Sequence, residues 1–209
     1  MLYAYLQCLR DRKKKVQQNS VSAFLTLVEE SLTLLIPYLQ PILETISQAF
    51  RHYQHKNMLR LFDLISVIAE SVDDALARPE YIQLIMPPLI EKWQTIPDDS
   101  NDLFPLFEAF QAVASALKHH FAPFAIEVRT RCVRLITTHL APGKQQTSTT
   151  SSSDFEGGHL IVALDLLAML ASRLGPEASA SFVRDCQPPI MELMVRSAQV
   201  SFCRVFVVY

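Results

Sequence analysis

Residues 61–71 read LFDLISVIAES, and related stretches recur along the chain: SAFLTLVEES at 22–31, LFPLFEAFQAVAS at 103–115 and VALDLLAMLAS at 162–172. Within each, apolar residues return every three or four positions, the period of an α-helix. Aligning them puts Ala23, Asp63, Glu108 and Asp165 in one slot, at spacings of 40, 45 and 57. The last interval contains a polar insert, and removing about 14 residues of it restores a period in the low forties. A period of roughly 40–47 residues with two helices in each is the mark of HEAT repeats. One pair cannot bury its own apolar face, so neighbouring pairs stack into a continuous core. The sequence therefore predicts an all-α fold, a HEAT-repeat α-solenoid of about four antiparallel helix pairs in a right-handed superhelical array.

Working outward, the same periodicity predicts helices at 2–11, 15–32, 36–52, 56–74, 80–94, 102–119, 122–140, 159–174 and 178–196. Short breaks such as YQHKN, ARPE and IPDDSND separate them. Gly175-Pro176 stops one helix and starts the next, as glycine after a helix and proline at its first position do elsewhere. Pro87-Pro88 falls inside a helical pattern and predicts a kink or a split. The stretch PGKQQTSTTSSSDFEGG (142–158) is polar and of low complexity, which predicts a disordered insert. The expected organisation is HEAT repeats over 1–141, the insert at 142–158, further repeat helices over 159–196, and a divergent tail at 197–209. That tail, with SFCRVFVVY at its end, is apolar and prone to extended structure.

Composition narrows the function. Half of the 209 residues are hydrophobic, and four glycines stand against twelve prolines, which favours helices over glycine-turned strands. The net charge of −2 does not attract nucleic acid by bulk field. The dense basic run RDRKKK (10–15) reads as a solvated helix end. No apolar run reaches the ~18 residues of a membrane span, and the start LYAYLQCL lacks the form of a signal peptide. Cys8, Cys132, Cys186 and Cys203 form no CxxC pair, so they read as reduced, mostly buried thiols rather than as a metal site or a disulfide framework.

Asp63 and Glu70 project in nearly one direction, because seven residues make close to two turns. With Ser66 and Asp74 they form a polar stripe. Glu108, Gln111 and Ser115 repeat it one period later, Asp165 and Ser172 continue it, and Thr26 and Glu30 precede it. Side-by-side repeats would join these stripes into an acidic band. An exposed helix face must be polar in any case, but the recurrence of acid rather than mixed charge at one slot points to a surface for cations. Other constellations carry less. His52 and His55 lack the further ligands of a metal site, and His119-His120 suits a helix end. Trp93 reads as packing within the first helix of a repeat. The sequence holds no GxSxG, HExxH, P-loop or GxGxxG. No catalytic residue, cofactor or metal is assigned, and the chain is not expected to be an enzyme.

The stretches VSAFLTLVEE (21–30), IPYLQPIL (36–43), YQHKN (53–57), PEYIQLIMPPLIEKW (79–93), DLFPLFEAF (102–110) and IVALDLL (161–167) resemble the importin-β (karyopherin-β) family of nuclear import receptors. The branch they resemble carries cargo with a proline-tyrosine nuclear localisation signal. The resemblance covers about 14 to 196 and corresponds to the middle of a much longer receptor. It implies that the second helix of each repeat lines a concave surface whose carboxylates hold the basic part of the signal. Carried over residue by residue, the signal-binding positions are Glu30, Asp63, Glu70, Glu108 and Asp165. The family has a further acid where this chain has Ser172 followed by Arg173, which weakens that end of the band.

The resemblance also implies partners. These are cargo proteins with basic proline-tyrosine signals, together with the Ran GTPase and nucleoporins through parts of a full-length receptor absent here. Neither nucleic acid nor membrane is an expected partner, and the expected location is cytoplasm and nucleus, with shuttling through the nuclear pore. The family's tryptophans for the proline-tyrosine end precede the region matched here, and no tryptophan precedes Trp93. A HEAT-repeat scaffold for protein assembly without transport activity is the alternative reading.

Overall fold

The computed structural model describes residues 2–140 and 153–206, with side chains placed for 2–31, 34–139, 158–175 and 179–195. The described residues form nine α-helices and no strand: α1 (Leu2–Leu9), α2 (Lys14–Ser31), α3 (Leu39–His52), α4 (His55–Val72), α5 (Pro79–Thr95), α6 (Leu103–Leu117), α7 (Ala122–Leu140), α8 (Ser153–Arg173) and α9 (Pro176–Phe206). Short 3-10 turns lie at Leu32–Tyr38, Asp73–Leu76 and Lys118–Phe121. The chain divides into two compact units, one up to His120 and one from Phe121.

In the first unit α4 packs against both α2 and α6, while α3 packs against both α1 and α5. Even-numbered helices thus stack on one another, and odd-numbered helices on one another, as HEAT pairs require. The sequence explains the ordering. Helix α6 buries ten of its fifteen residues, among them Leu106, Phe107, Phe110, Val113 and Leu117, because it is covered on several sides. Helix α4 buries Leu61, Phe62, Leu64, Ile65, Ile68 and Val72 and leaves one polar stripe. Trp93 of α5 meets Phe107 and Phe110 of α6 edge-on, with centroids 5.1 and 4.8 Å away. Such pairs add about 0.5–1.5 kcal/mol beyond area burial. Trp93 is therefore a packing residue, the bond between the two layers.

In the second unit α7 packs on α8 and α9. Val128, Cys132 and Ile136 of α7 meet a core that includes Leu166 and Leu170 of α8 and Phe182 and Cys186 of α9. Arg129 Nη1 bonds Asp185 Oδ2 at 2.5 Å and lies over the Phe182 ring. Gly175 sits between α8 and α9 at φ +85°, a conformation that strains other residues.

Several expectations change. Helix α5 runs unbroken through Pro87-Pro88, because buried Ile85 and Met86 before the pair and Leu89 and Trp93 after it hold both halves. Helix α8 begins at Ser153, so residues 153–158 of the expected insert are helical, while 142–152 lie outside the described residues. Helix α9 continues to Phe206, where the sequence predicts an extended-prone tail from 197. Cys8 is exposed, unlike Cys132 and Cys186, and the Cys203 side chain lies outside the described residues. Burial pushes the Cys132 and Cys186 thiols up.

Candidate functional site

The polar stripe is built by what the helices bury. On α6 the residues left uncovered are Phe104 and Pro105 at its start and then Glu108, Gln111 and Ser115 at helical spacing. On α4 the corresponding line runs through Asp63, Ser66, Val67 and Glu70. On α2 it includes Thr26 and Glu30 in the last turns. Since α4 packs between α2 and α6, Glu30, Asp63, Glu70 and Glu108 stand on three neighbouring helices. Asp165 holds the same register on α8 in the second unit and is exposed. Among the described residues it is the sole charged one on a cavity of about 420 Å³ that is lined otherwise by residues such as Leu167, Ala171, Phe182, Ile190 and Met191.

An independent mark fixes the register. Asp73 and Lys118 have φ of 40° and 52°, and Gly175 has φ 85°. Each lies ten residues beyond an acid of the stripe, at 63, 108 and 165. Three helices therefore place their carboxylate at one distance from the turn that ends them. No glycine marks the first two turns, so the sequence pattern alone does not reveal them.

Four of the five carboxylates are exposed, and Asp63 is half-buried. Desolvation pushes the Asp63 carboxyl above its ordinary value, and the Arg60 guanidinium partly opposes the shift. Among the described residues none of the five is engaged by another side chain in a hydrogen bond or an ion pair. Some acids elsewhere are engaged: His55 binds Asp102 at 2.5 Å, and Arg129 holds Asp185. Asp74, which the sequence places in the stripe, is a correction. The turn at Asp73 ends α4 at Val72, and Asp74 is ion-paired with Lys118. The stripe of α4 therefore closes at Glu70.

His52 Nδ1 lies 2.9 Å from the Gln48 carbonyl, and His55 serves Asp102. No group of three His, Cys, Asp or Glu side chains converges as a metal set among the described residues. The arrangement can bind spaced cations through charge-assisted hydrogen bonds.

These features define a HEAT-repeat protein segment whose helices carry carboxylates at recurring positions. No protein-family model matches the sequence. The chain is similar to transportin-1 of Mus musculus and of Homo sapiens, 46% identical over 171 residues, which cover 81% of this chain and 19% of each of those proteins. It is also similar to importin subunit beta-2 of Schizosaccharomyces pombe, 38% identical over 196 residues, 93% of this chain and 21% of that protein. The chain is homologous to a segment of the transportin and importin subunit beta-2 proteins and spans about a fifth of their length.

Proposed function

We propose that this chain is a cargo-binding segment of a transportin-like nuclear import receptor. It holds the basic part of a proline-tyrosine nuclear localisation signal along Glu30, Asp63, Glu70, Glu108 and Asp165. The observation that carries the reading is that these acids recur in register and, among the described residues, make no side-chain hydrogen bond or ion pair. The homology to transportin-1 and importin subunit beta-2 supports it. The activity is binding rather than catalysis. A partly extended peptide lays its lysines and arginines against successive carboxylates. Each exposed pair contributes only about 0–1 kcal/mol, so several act together. The half-buried Asp63 gains most from a guanidinium, which replaces solvation already lost. In a whole receptor, Ran and nucleoporins engage other regions, and the protein shuttles between cytoplasm and nucleus.

Fluorescence anisotropy of a labelled basic proline-tyrosine peptide tests this. The comparison is a variant carrying Asp63→Asn, Glu70→Gln, Glu108→Gln and Asp165→Asn, with helicity checked by circular dichroism. Binding that weakens with salt and falls at least tenfold in the variant is the expected result. Equal binding by both chains leaves a HEAT-repeat scaffold as the better reading.

A further inference from the structure

The turn between α1 and α2 and the start of α2 carry Arg10, Arg12, Lys13, Lys14 and Lys15 against one acid, Asp11. The end of α3 and the start of α4, on either side of their turn, carry Arg51, His52, His55 and Lys56 and no acid. The fold joins them. Tyr53 Oη donates to the Leu9 carbonyl at 2.8 Å, and Asn57 Nδ2 donates to the Lys14 carbonyl and to Gln17 Oε1, each at 2.9 Å. Gln17 Nε2 in turn donates to the Asp11 carbonyl at 2.7 Å. Tyr53, Asn57 and Gln17 are buried, so the two backbones are pinned side by side while their cations stay outside.

Arg12, Lys13, Lys14, Lys15, Arg51 and Lys56 are all exposed, and none is engaged in an ion pair among the described residues. Three of them crowd the start of α2, whose first turn has no acid. A helix dipole disfavours cations there. This concentration of charge works against local stability in a chain whose net charge is −2.

We propose that this pinned basic edge is a second docking surface, which takes a short acidic segment of a partner protein, rich in Asp and Glu or phosphorylated. Its extent selects the partner. The next turn along the edge, between α5 and α6, carries Asp98, Asp99 and Asp102, and Asp102 reaches His55. A long nucleic acid or a flat anionic membrane that covered the cations would also meet this acidic turn, whereas a short peptide fits between. The edge is separate from the carboxylate stripe: Lys14 and Glu30 stand at opposite ends of α2, about 24 Å apart along its axis. The two surfaces therefore select ligands of opposite sign.

The test is anisotropy of a labelled short glutamate-rich peptide, its phosphoserine counterpart and a glutamine-rich control, with the full chain at about 50 and about 200 mM salt. A uridine oligonucleotide and vesicles of phosphatidylserine and phosphatidylcholine run beside them. Two variants neutralise one turn each: Lys13→Gln/Lys14→Gln/Lys15→Gln and Arg51→Gln/Lys56→Gln. Arg173→Gln/Arg184→Gln, in exposed positions of the second unit, is the control. Salt-sensitive binding of both acidic peptides, weakened about tenfold by either turn variant and unchanged in the control, is expected. Failure of the wild-type chain to bind either acidic peptide at low salt overturns the proposal. So do equal loss in the control, no loss in a helical turn variant, and tighter binding of the oligonucleotide or the vesicles.

Discussion

At the scale of single residues, the two non-glycine turns are the points of stored strain. Asp73 has φ 40° and ψ −123°, and Lys118 has φ 52° and ψ −126°, in a region that glycine alone visits freely. Replacing Asp73 by glycine is expected to stabilise the first unit by about 1 kcal/mol, read as a higher urea midpoint. Lys118→Gly relieves similar strain but loses the Asp74 ion pair, so its gain should be smaller. Asp63 makes a second prediction. Its folded carboxyl binds protons more tightly than an ordinary aspartate, so the folded state loses stability as pH rises through the range from 3.8 to the raised value. Asp63→Asn should remove that slope and be the more stable chain near neutrality. Denaturant midpoints of the two chains measured across mildly acidic pH check the sign, and below that window the advantage should disappear.

At the scale of elements, the layers depend on a few buried contacts. Trp93→Ala should cost about 3–5 kcal/mol, because it opens a cavity against Phe107 and Phe110 where α5 meets α6. Tyr53→Phe removes a buried donor and leaves the Leu9 carbonyl unsatisfied, a loss of about 1–3 kcal/mol. Thermal unfolding followed by circular dichroism measures both. The helices were legible because period and apolar stripe survive in every repeat, as LFDLISVIAES shows. What stayed hidden had no local signal. The turns at Asp73 and Lys118 use residues that seldom take such angles, and the unbroken path through Pro87-Pro88 depends on burial to either side. The acids of the stripe were legible as a recurring slot. That Asp74 belongs to Lys118 depends on two turns 44 residues apart meeting in space.

At the scale of the whole molecule, the acids and the turns beyond them obey one rule. The offset from Asp63 to Asp73, from Glu108 to Lys118 and from Asp165 to Gly175 is ten residues, although the intervals between repeats are 45 and 57. Length varies between helices and not within this part of them. One residue inserted between an acid and its turn would swing the acid about 100° around the helix. A single alanine placed after Gln111 should therefore move Glu108 off the stripe or force Leu117 from the core, and it should weaken both the fold and the basic-peptide affinity. Several residues added within 142–152 should change neither. The ten-residue offset is thus the dimension a viable insertion or deletion is expected to leave untouched.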